Sequence, residues 1–392
     1  MRILVITPGF LPSIGGAEIG VHEIFSRIGS RHNVMIMTPQ LKNRTPVDGF
    51  DYNNYTVFRY RNFLDFGRLR GKRITFGVIP PFSVGTLVAA RRLIPNFQPN
   101  VINIHYAAYS GLAAIWSQKI SNIPVVLSLI GRDAIPGPEV PMLWPRYTKL
   151  IATQVAHTIF VSNYCESFYR DSHFPHSVIP YGVDTKKITP RSPNENLLKH
   201  LEISRDTSVL FSLQRLNKIK RIDFTIQSFY KLIEKGFDDV LLLIGGLGAE
   251  DSKLKELVSS LGINDRVKFL GFIPEDQIAD YFSIADIFIS SSIFETFGIV
   301  LVQAMAAGLP VIATRNSAIP EIVEHGVTGL LSPPYDEELF AKNIATLLTN
   351  HDLKKNMGIT ARQRALKFFD WNLIVEKYEG ILSEQSIYSS YR

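Results

Sequence analysis

The sequence predicts an α/β protein with two doubly wound domains, each built on a parallel sheet of the Rossmann type. The chain has 392 residues, too many for one ordinary α/β domain and suited to two of roughly 150 to 200 residues each. In both halves, short runs rich in β-branched residues alternate with helical patterns, as in parallel sheets covered by helices. A polar stretch with Pro190 and Pro193 separates the halves. We therefore predict an N-terminal domain over residues 1–184, a linker over 185–206 and a C-terminal domain over 207–370.

In the first half, each predicted strand is a short β-branched run that ends at a turn residue. The predicted strands are Arg2–Thr7, Asn33–Thr38, Val101–Ile104, Val125–Leu129, Thr158–Val161 and Ser177–Ile179. The predicted helices lie near residues 17–29, 83–94, 107–120 and 144–156. Ligands of such sheets bind at the carboxyl ends of the strands, so two facing domains would hold a ligand in the cleft between them.

The second half repeats the same alternation. Its predicted strands are Val209–Leu213, Val240–Ile244, Val267–Leu270, Ile287–Ser290 and Val311–Ala313. Its predicted helices lie near residues 222–235, 251–261, 299–308, 336–349 and 352–368.

The composition excludes several classes of protein. Apolar residues make up 46% of the chain and charged residues 20%, which suits a buried core and excludes collagenous or largely disordered chains. Cys165 is the only cysteine, so the sequence indicates neither internal disulfides nor a thiolate metal cluster. The first apolar run is cut by Pro8 and Pro12, and no apolar stretch reaches the roughly 20 residues of a membrane span. We therefore expect a cytoplasmic protein.

The positive charge is concentrated in the first half. Residues 1–184 hold 18 Lys and Arg against 10 Asp and Glu, and the remainder hold 24 against 26. The densest basic segment, residues 59–82, also contains several Phe and Tyr side chains. Cations beside aromatic rings suit an anionic lipid surface at the inner face of a membrane, where the protein would be peripheral. A solvated loop is the alternative, and binding of nucleic acid is disfavoured.

Two glycines open the first helix. Gly15 and Gly16 lie between the first strand and the helix near 17–29. A glycine pair at such a turn allows backbone amides to approach an anion at the helix N-terminus. A structural turn without a ligand is an equal alternative, because the spacing is not that of the dinucleotide fingerprint.

The loop after the strand Ile287–Ser290 combines a carboxylate with a helix start. Glu295 lies in this loop, and the helix that begins near Gly298 directs free amides to the same edge. These groups together suit a ligand with hydroxyls at one end and phosphate at the other. The alternative is that Glu295 is only an N-terminal helix acid.

Four cations follow the first strand of the second half, within residues 215–221. These are Arg215, Lys218, Lys220 and Arg221. Such a cluster suits a diphosphate, which arginine binds as a fork and lysine as a point charge; surface solvation is the alternative. Gly246 and Gly248 follow the next strand and either admit a ligand or serve the turn alone.

Other candidates follow strands of the first half. His105 comes directly after the strand Val101–Ile104, and Arg132 and Asp133 follow the strand Val125–Leu129. We expect these side chains to face the same cleft, although a lone histidine is more often structural. No spacing of histidines or acids indicates a metal site.

At these residues the chain resembles the family 4 retaining glycosyltransferases, which are nucleotide-sugar enzymes of the two-domain GT-B fold. The resemblance covers nearly the whole chain, and the order and spacing of its motifs are more specific than any one of them. The motifs are Gly15-Gly16, His105, Ile179–Asp184, Arg215 with Lys220, Gly246-Leu-Gly248, Phe269–Gly271, Glu295–Gly298, Ala304–Ala313 and Pro320–Gly329.

The resemblance also implies roles for these residues. Arg215 and Lys220 are implied to hold the donor diphosphate, and Glu295 to contact the donor sugar. These three residues and His105 are the implied catalytic residues. The residues implied to bind the donor are Gly15, Gly16, Gly246, Gly248, Phe272, Phe297, Gly298, Ile299 and Gln303. Arg132 and Asp133 are implied to bind the acceptor, and a helix over residues 371–386 to cross back onto the N-terminal domain.

Two positions depart from the family pattern. Gln303 replaces a glutamate that normally accepts a ribose hydroxyl, and its carbonyl oxygen can still accept one, at a cost of about 1 kcal/mol. Ile130 replaces the usual histidine before Gly131, which removes a polar contact to the sugar.

The resemblance implies a reaction that needs no cofactor or metal ion. A nucleotide-diphosphate sugar would donate its sugar, with retention, to a hydroxyl acceptor such as a lipid-linked glycan, and cations and helix amides would stabilise the leaving diphosphate. The alternatives are a sugar-nucleotide epimerase of the same fold and a catalytically degenerate sugar-nucleotide or nucleic-acid binding protein.

Overall fold

The computed structural model describes residues 1–11, 15–40, 54–60, 81–131, 135–136 and 143–390. The chain divides into two compact units. The first unit contains Met1–Tyr181 and Trp371–Arg392, and the second contains Gly182–Asp370. Each unit has one parallel sheet with helices on both faces, so the α/β prediction is confirmed.

The sheet of the first unit has seven strands in its described residues. They are β1 (Arg2–Ile6), β2 (Asn33–Pro39), β3 (Thr56–Tyr60), β4 (Val101–His105), β5 (Val125–Leu129), β6 (His157–Phe160) and β7 (His176–Val178). Their order across the sheet is β3-β2-β1-β4-β5-β6-β7. The helices are α1 (Gly16–Ile28), α2 (Pro81–Phe97), α3 (Ala107–Lys119), α4 (Trp144–Ala152) and α5 (Asn163–Ser167), with α14 (Trp371–Ser390) at the end of the chain.

The central strands of this sheet are apolar because helices cover both of their faces. Every residue of β4 and β5 is buried, and so is β1 after its first residue. Leu4 of β1 lies beside Met35 of β2 and Ile102 of β4. Runs of β-branched and leucine side chains are what a parallel sheet buried on both sides requires.

The last helix packs on the first unit through polar groups as well as apolar ones. In α14, the hydroxyl of Tyr378 hydrogen-bonds to that of Ser128 and donates to Asn103 Oδ1 at 3.4 Å. The carboxylate of Glu379 lies 2.7 Å from His32 Nε2. These contacts explain why a helix so late in the sequence belongs with the first unit.

The second unit, all of whose residues are described, has a six-stranded parallel sheet. Its strands are β8 (Ser208–Leu213), β9 (Val240–Gly245), β10 (Val267–Gly271), β11 (Ile287–Ser290), β12 (Val311–Thr314) and β13 (Gly329–Ser332), in the order β10-β9-β8-β11-β12-β13. Its helices are α6 (Glu195–His200), α7 (Ile222–Glu234), α8 (Asp251–Ser260), α9 (Ile278–Ser283), α10 (Ile299–Ala306), α11 (Ile319–Ile322), α12 (Glu337–Thr349) and α13 (His351–Phe368).

The predicted linker, residues 185–206, is part of the second unit rather than a separate segment. The guanidinium of Arg362 donates to the carbonyl oxygens of Thr185 (2.9 Å), Ile188 (2.8 Å) and Ala306 (2.7 Å). The guanidinium is partly buried among these carbonyl groups, and this burial lowers the pKa of Arg362. Helix α6 begins within the same stretch, with the side chain of Asn194 accepting from its third residue. A distant arginine therefore attaches a polar stretch that composition alone marks as a linker.

Candidate functional site

The strand order of the second sheet reverses between β8 and β11, which lie side by side. After β8 the chain forms β9 on one side of this strand pair. After β11 it forms β12 on the opposite side. Such a reversal opens a crevice at the carboxyl ends of the two strands, where doubly wound sheets bind their ligands. The loops at this crevice are residues 214–221 and 291–298, which contain five of the predicted site residues: Arg215, Lys220, Glu295, Phe297 and Gly298.

Hydrogen bonds join these two loops to each other. The amide of Ile293 donates to the carbonyl of Ile219 at 2.9 Å. The fully buried hydroxyl of Ser291 lies 2.8 Å from the carbonyl oxygen of Lys220 and 2.6 Å from that of Arg221. The two loops therefore form one rigid edge above the sheet.

Lys220 and Glu295 form an ion pair across the two loops. The ammonium of Lys220 hydrogen-bonds to Glu295 Oε1, and the side chains are 19% and 12% exposed. The amide of Lys220 donates to Asn217, whose carbonyl and side-chain oxygens lie at 3.0 and 3.2 Å. An ammonium has three donors and a carboxylate has two oxygens, so each partner keeps hydrogen-bonding capacity for a ligand.

The other cations of the cluster are not equivalent. Arg215 and Lys218 are exposed, and their side chains form no hydrogen bond or ion pair with a described residue. Arg221 instead lies 3.0 Å from both oxygens of Asp223 and stacks on the ring of Tyr335 at 4.9 Å. The guanidinium of Arg221 is therefore engaged with Asp223 and Tyr335, unlike the side chains of the other cations in the cluster.

Helix α10 begins at the same edge. Its N-cap, Gly298, has a φ of 109°, in the left-handed region that favours glycine. The first amides of the helix, from Ile299 onward, have no acceptor within it. The side chain of Phe297 is only 4% exposed and packs on the ring of Phe369. An anion at this edge would therefore meet the backbone amide of Ile299 rather than the side chain of Phe297.

The glycine turn after β9 serves contact between loops. A Cβ atom on Gly246 would lie 1.8 Å from the carbonyl oxygen of Gln214, and one on Gly248 would lie 2.0 Å from that of Leu216. The amide of Leu216 donates to Leu247 at 3.0 Å. These glycines allow the turn to lie against the loop that carries Arg215, which supports the structural alternative.

A carboxylate that the sequence analysis did not single out lies beside Gln303. The Nε2 atom of Gln303 donates to Glu275 Oε1 at 3.1 Å. Gln303 is 7% exposed, on the second turn of α10, whereas Glu275 is an exposed residue of the loop after β10. In the same loop, Phe272 is 52% exposed. The two partners are 28 residues apart, and no pattern in the sequence connects them.

The first sheet has a reversal of its own, between β1 and β4. Gly15 is the buried N-cap of α1, and Gly16 is the first residue of this 13-residue helix. Glu18 lies in the first turn, and its carboxylate would contact a Cβ placed on Gly9. The glycine pair therefore opens helix α1, as the sequence analysis expected.

His105 lies at the carboxyl end of β4, as expected, but its side chain is buried. His105 is the last residue of β4, fully buried, and neither ring nitrogen has a hydrogen-bond partner among the described residues. The ring packs edge-on against Phe25, with centroids 6.2 Å apart, and burial lowers the pKa of the imidazole to about 3. The strand extends one residue further than predicted, so His105 is part of β4 and its side chain is buried.

Some predicted residues lie outside the described ranges. These are Arg132 and Asp133, predicted to bind the acceptor, and residues 61–80 of the basic segment. Ile130, at the position of the family's usual histidine, is described and is 6% exposed.

The described residues contain neither a cluster of metal ligands nor a membrane-spanning helix. No three His, Cys, Asp or Glu side chains within them group as metal ligands would. None of the helices in the same residues has the length and apolarity to cross a membrane.

Two Rossmann-like units, with cations and a helix start at a strand reversal, define the class of GT-B glycosyltransferases. Two family models match adjoining parts of the chain: Glycosyltransferase Family 4 over residues 14–187 and Glycosyl transferases group 1 over residues 193–364. The chain belongs to the family 4, group 1 glycosyltransferases.

Curated relatives match almost from end to end. The N-acetyl-alpha-D-glucosaminyl L-malate synthase of Bacillus anthracis is 28% identical over 94% of each chain. The GDP-mannose-dependent alpha-(1-6)-phosphatidylinositol monomannoside mannosyltransferase of Mycobacterium tuberculosis is 27% identical over 97% of this chain and 98% of its own. These relatives are enzymes that transfer sugars, so this chain is a glycosyltransferase and the epimerase alternative has no support.

Solved structures show the same fold. The sucrose-phosphate synthase of Thermosynechococcus elongatus has a TM-score of 0.81 at 20% identity and 98% coverage of both chains. HepE of Anabaena, solved with UDP, has a TM-score of 0.78 at 23% identity, over 98% of this chain and all of its own.

Proposed function

We propose that this enzyme transfers a sugar, with retention of configuration, from a nucleotide-diphosphate sugar to a hydroxyl acceptor, without a metal ion or other cofactor. The observation that carries the proposal is the edge formed by Arg215, the pair of Lys220 and Glu295, and the start of α10. A diphosphate needs several fixed positive groups, and this edge supplies a free guanidinium, a shared ammonium and helix amides.

The charges of this edge suit a departing diphosphate better than a resting one. As the bond to the sugar breaks, negative charge grows on the phosphate oxygen, where fixed donors stabilise it most. The ammonium of Lys220 can strengthen its contact with this oxygen without leaving Glu295. Arg215 has no described partner to release and can bind two phosphate oxygens at once.

Glu295 fits the role of a hydroxyl acceptor rather than that of a nucleophile. Its carboxylate already accepts from Lys220, which neutralises much of its charge locally. Its remaining lone pairs can accept hydroxyls of the donor sugar. The leaving phosphate would then remove the acceptor's proton on the same face of the sugar, which gives retention.

Product configuration and metal dependence test this reaction together. The wild type, incubated with the nucleotide sugar that it turns over and with an acceptor, should give a product with the donor's anomeric configuration by proton NMR. Excess EDTA should not change the rate. An inverted product, or a rate lost with EDTA and restored by Mg²⁺ or Mn²⁺, would contradict the proposal.

We propose further that the acceptor is borne by an anionic membrane surface on the cytosolic side. One of the relatives acts, by its name, on a phosphatidylinositol monomannoside. In this chain, no Asp or Glu occurs between Asp65 and Asp133. This region includes all of helices α2 and α3, and helix α4 also lacks acids. Helices α2, α3 and α4 pack side by side on one face of the first sheet.

The outer faces of these helices combine cations with apolar side chains. On α2, Val84 and Val88 are each 40% exposed, and Arg91 and Arg92 are exposed further along the same side. On α4, Leu150 is 55% exposed beside the exposed Arg146 and Lys149. Cations attract anionic headgroups, and exposed aliphatic side chains enter the interface below them, so this surface suits an anionic bilayer.

Vesicle co-sedimentation tests the membrane proposal. The wild type should bind vesicles of phosphatidylcholine with phosphatidylglycerol, but not phosphatidylcholine alone, and 1 M salt should release it because the Debye length falls to about 3 Å. Changing Arg91, Arg92 and Lys149 to Ser should abolish binding, and the same change at Lys342 and Lys355 of the second unit should not. A soluble acceptor is indicated if the wild type fails to bind anionic vesicles at low salt.

A further inference from the structure

We propose that Glu275 is a positioning residue that fixes the side-chain amide of Gln303 so that its carbonyl oxygen faces the pentose hydroxyls of the donor nucleoside. The inference rests on the proposed function, because it concerns the nucleoside end of the same donor. It assigns a role to a residue that no motif in the sequence marks.

The contact itself sets the orientation of the amide. A carboxylate can only accept hydrogen bonds, whereas the amide of Gln303 has a donor end and an acceptor end. Because Gln303 Nε2 donates to Glu275 Oε1 at 3.1 Å, the acceptor end must point away from Glu275. The Oε1 atom has no hydrogen-bond partner among the described residues.

Both partners are held by their backbones. Gln303 lies in α10 and is 7% exposed. The other residues of this helix from Leu301 to Ala306 are fully buried. The loop that carries Glu275 is attached at Ile273, which packs against Gly245, and turns through a hydrogen bond from Gln277 to Pro274 at 3.0 Å. Neither side chain needs to move to keep the contact.

A fixed acceptor at this position serves a specific purpose. The resemblance places an acceptor of a ribose hydroxyl at position 303, and a carboxylate there accepts whichever way it turns. An amide would present either an oxygen or an NH₂ group, and only the oxygen suits a hydroxyl that donates. Glu275 removes this ambiguity, so the glutamine acts as an acceptor with one orientation.

Variants that reverse the polarity of the contact test this inference. Glu275→Lys would place a donor against the side chain of Gln303. The amide of Gln303 would then turn its NH₂ group towards the nucleoside, and the Kd for the nucleotide would rise. Gln303→Glu would keep an acceptor at position 303, but repulsion from the carboxylate of Glu275 would displace it from the pentose and raise the Kd for the nucleotide. The double variant would restore an opposite-charge pair with an acceptor at position 303, and its Kd should return to within about twofold of wild type. For Glu275→Lys, the loss of one neutral hydrogen bond to the pentose predicts a two- to tenfold rise in the Kd.

The probes are UDP, GDP and ADP, each with its 2′-deoxy and 3′-deoxy forms, measured by isothermal titration calorimetry. The wild type should prefer the ribonucleotide over at least one deoxy form, and Glu275→Lys should lose that preference. A merely structural role for Glu275 would lower the melting temperature and leave the preference intact. Asp276→Lys makes the same charge change one residue later and should leave both the Kd and the preference unchanged.

The outcomes separate this inference from the function on which it rests. If the wild type binds one of the nucleotides and Glu275→Lys keeps its Kd and its preference, the positioning role is wrong and the donor site stands. The role is also wrong if the double variant is no better than the single ones. If the wild type binds none of the nucleotides, the proposed donor site itself is wrong.

Discussion

Replacing His105 with leucine should reduce the loss of stability that the first unit suffers in mild acid, leaving the smaller share that comes from His157, whose pKa burial also lowers. The imidazole is fully buried, and burial lowers its pKa to about 3, whereas the pKa in an unfolded chain is about 6.5. A lowered pKa means that the folded state resists a proton which the unfolded chain accepts. The stability associated with the neutral ring is therefore complete above pH 6.5 and falls as the pH drops from 6.5 towards 3.

The size of the effect follows from this difference. Between pH 7 and pH 5, uptake of one proton by the unfolded chain lowers the free energy of unfolding by about 1.9 kcal/mol, provided that the folded pKa stays well below 5. Leucine does not titrate, so the variant should lack this contribution. At pH 7, its stability should stay within about 1.5 kcal/mol of wild type, because it loses two unpaired buried nitrogens while roughly keeping the volume.

Tryptophan fluorescence can follow the first unit selectively. The three tryptophans, Trp116, Trp144 and Trp371, all lie in that unit. Urea unfolding at pH 7 and at pH 5 therefore gives the pH dependence of its stability for wild type and variant. His173→Leu removes an exposed histidine of the same unit and should keep the wild-type dependence. If His105→Leu also keeps it, the ring is protonated or hydrated in the folded state and our account of its burial is wrong.

Three further predictions concern the second unit. Arg215→Ala should lower kcat about 10²–10³-fold with an unchanged melting temperature, because the leaving diphosphate loses a fixed donor; a kcat within tenfold of wild type would contradict the phosphate role. Glu295→Gln should lower kcat, whereas the free energy of unfolding should change by at most about 1 kcal/mol, since a partly exposed ion pair with Lys220 contributes little. An unchanged kcat would contradict the contact of Glu295 with the donor sugar. Arg362→Ala should lower the free energy of unfolding of the second unit by about 2–4 kcal/mol, because three carbonyl oxygens lose a charged donor. Circular dichroism in urea would show this as an earlier transition, with the fluorescence transition of the first unit as the internal reference.

Much of the fold is legible in the sequence because buried parallel strands are short, continuous apolar runs. Eleven strands were predicted with bounds within one residue of those observed. The two that were missed, β3 and β13, are sheet edges with a single neighbour each, so their side chains need not be uniformly apolar. The attachment of residues 185–206 to the second unit was not foreseen, because it depends on Arg362, about 170 residues later in the chain.

The site was less predictable, because single residues decide it. The loops with Arg215, Lys220 and Glu295 were predicted to meet at one sheet edge, since parallel strands end there together, and the structure brings them into contact. The burial of His105 was not foreseen, because β4 extends one residue further than the pattern indicates. The contact of Glu275 with Gln303 depends on the path of a loop after an edge strand, which neither periodicity nor spacing reveals.

The central claim is that the edge between β8 and β11 binds the diphosphate of the donor. Hydrogen–deuterium exchange of the wild type with and without UDP, GDP or ADP tests it most directly, because it locates the amides that a ligand protects. We predict that at least one nucleotide slows exchange in peptides over residues 215–221 and 297–303, and that Arg215→Ala weakens this protection at the same nucleotide concentration. Protection confined to other parts of the second unit, or to the first unit alone, would contradict the assignment.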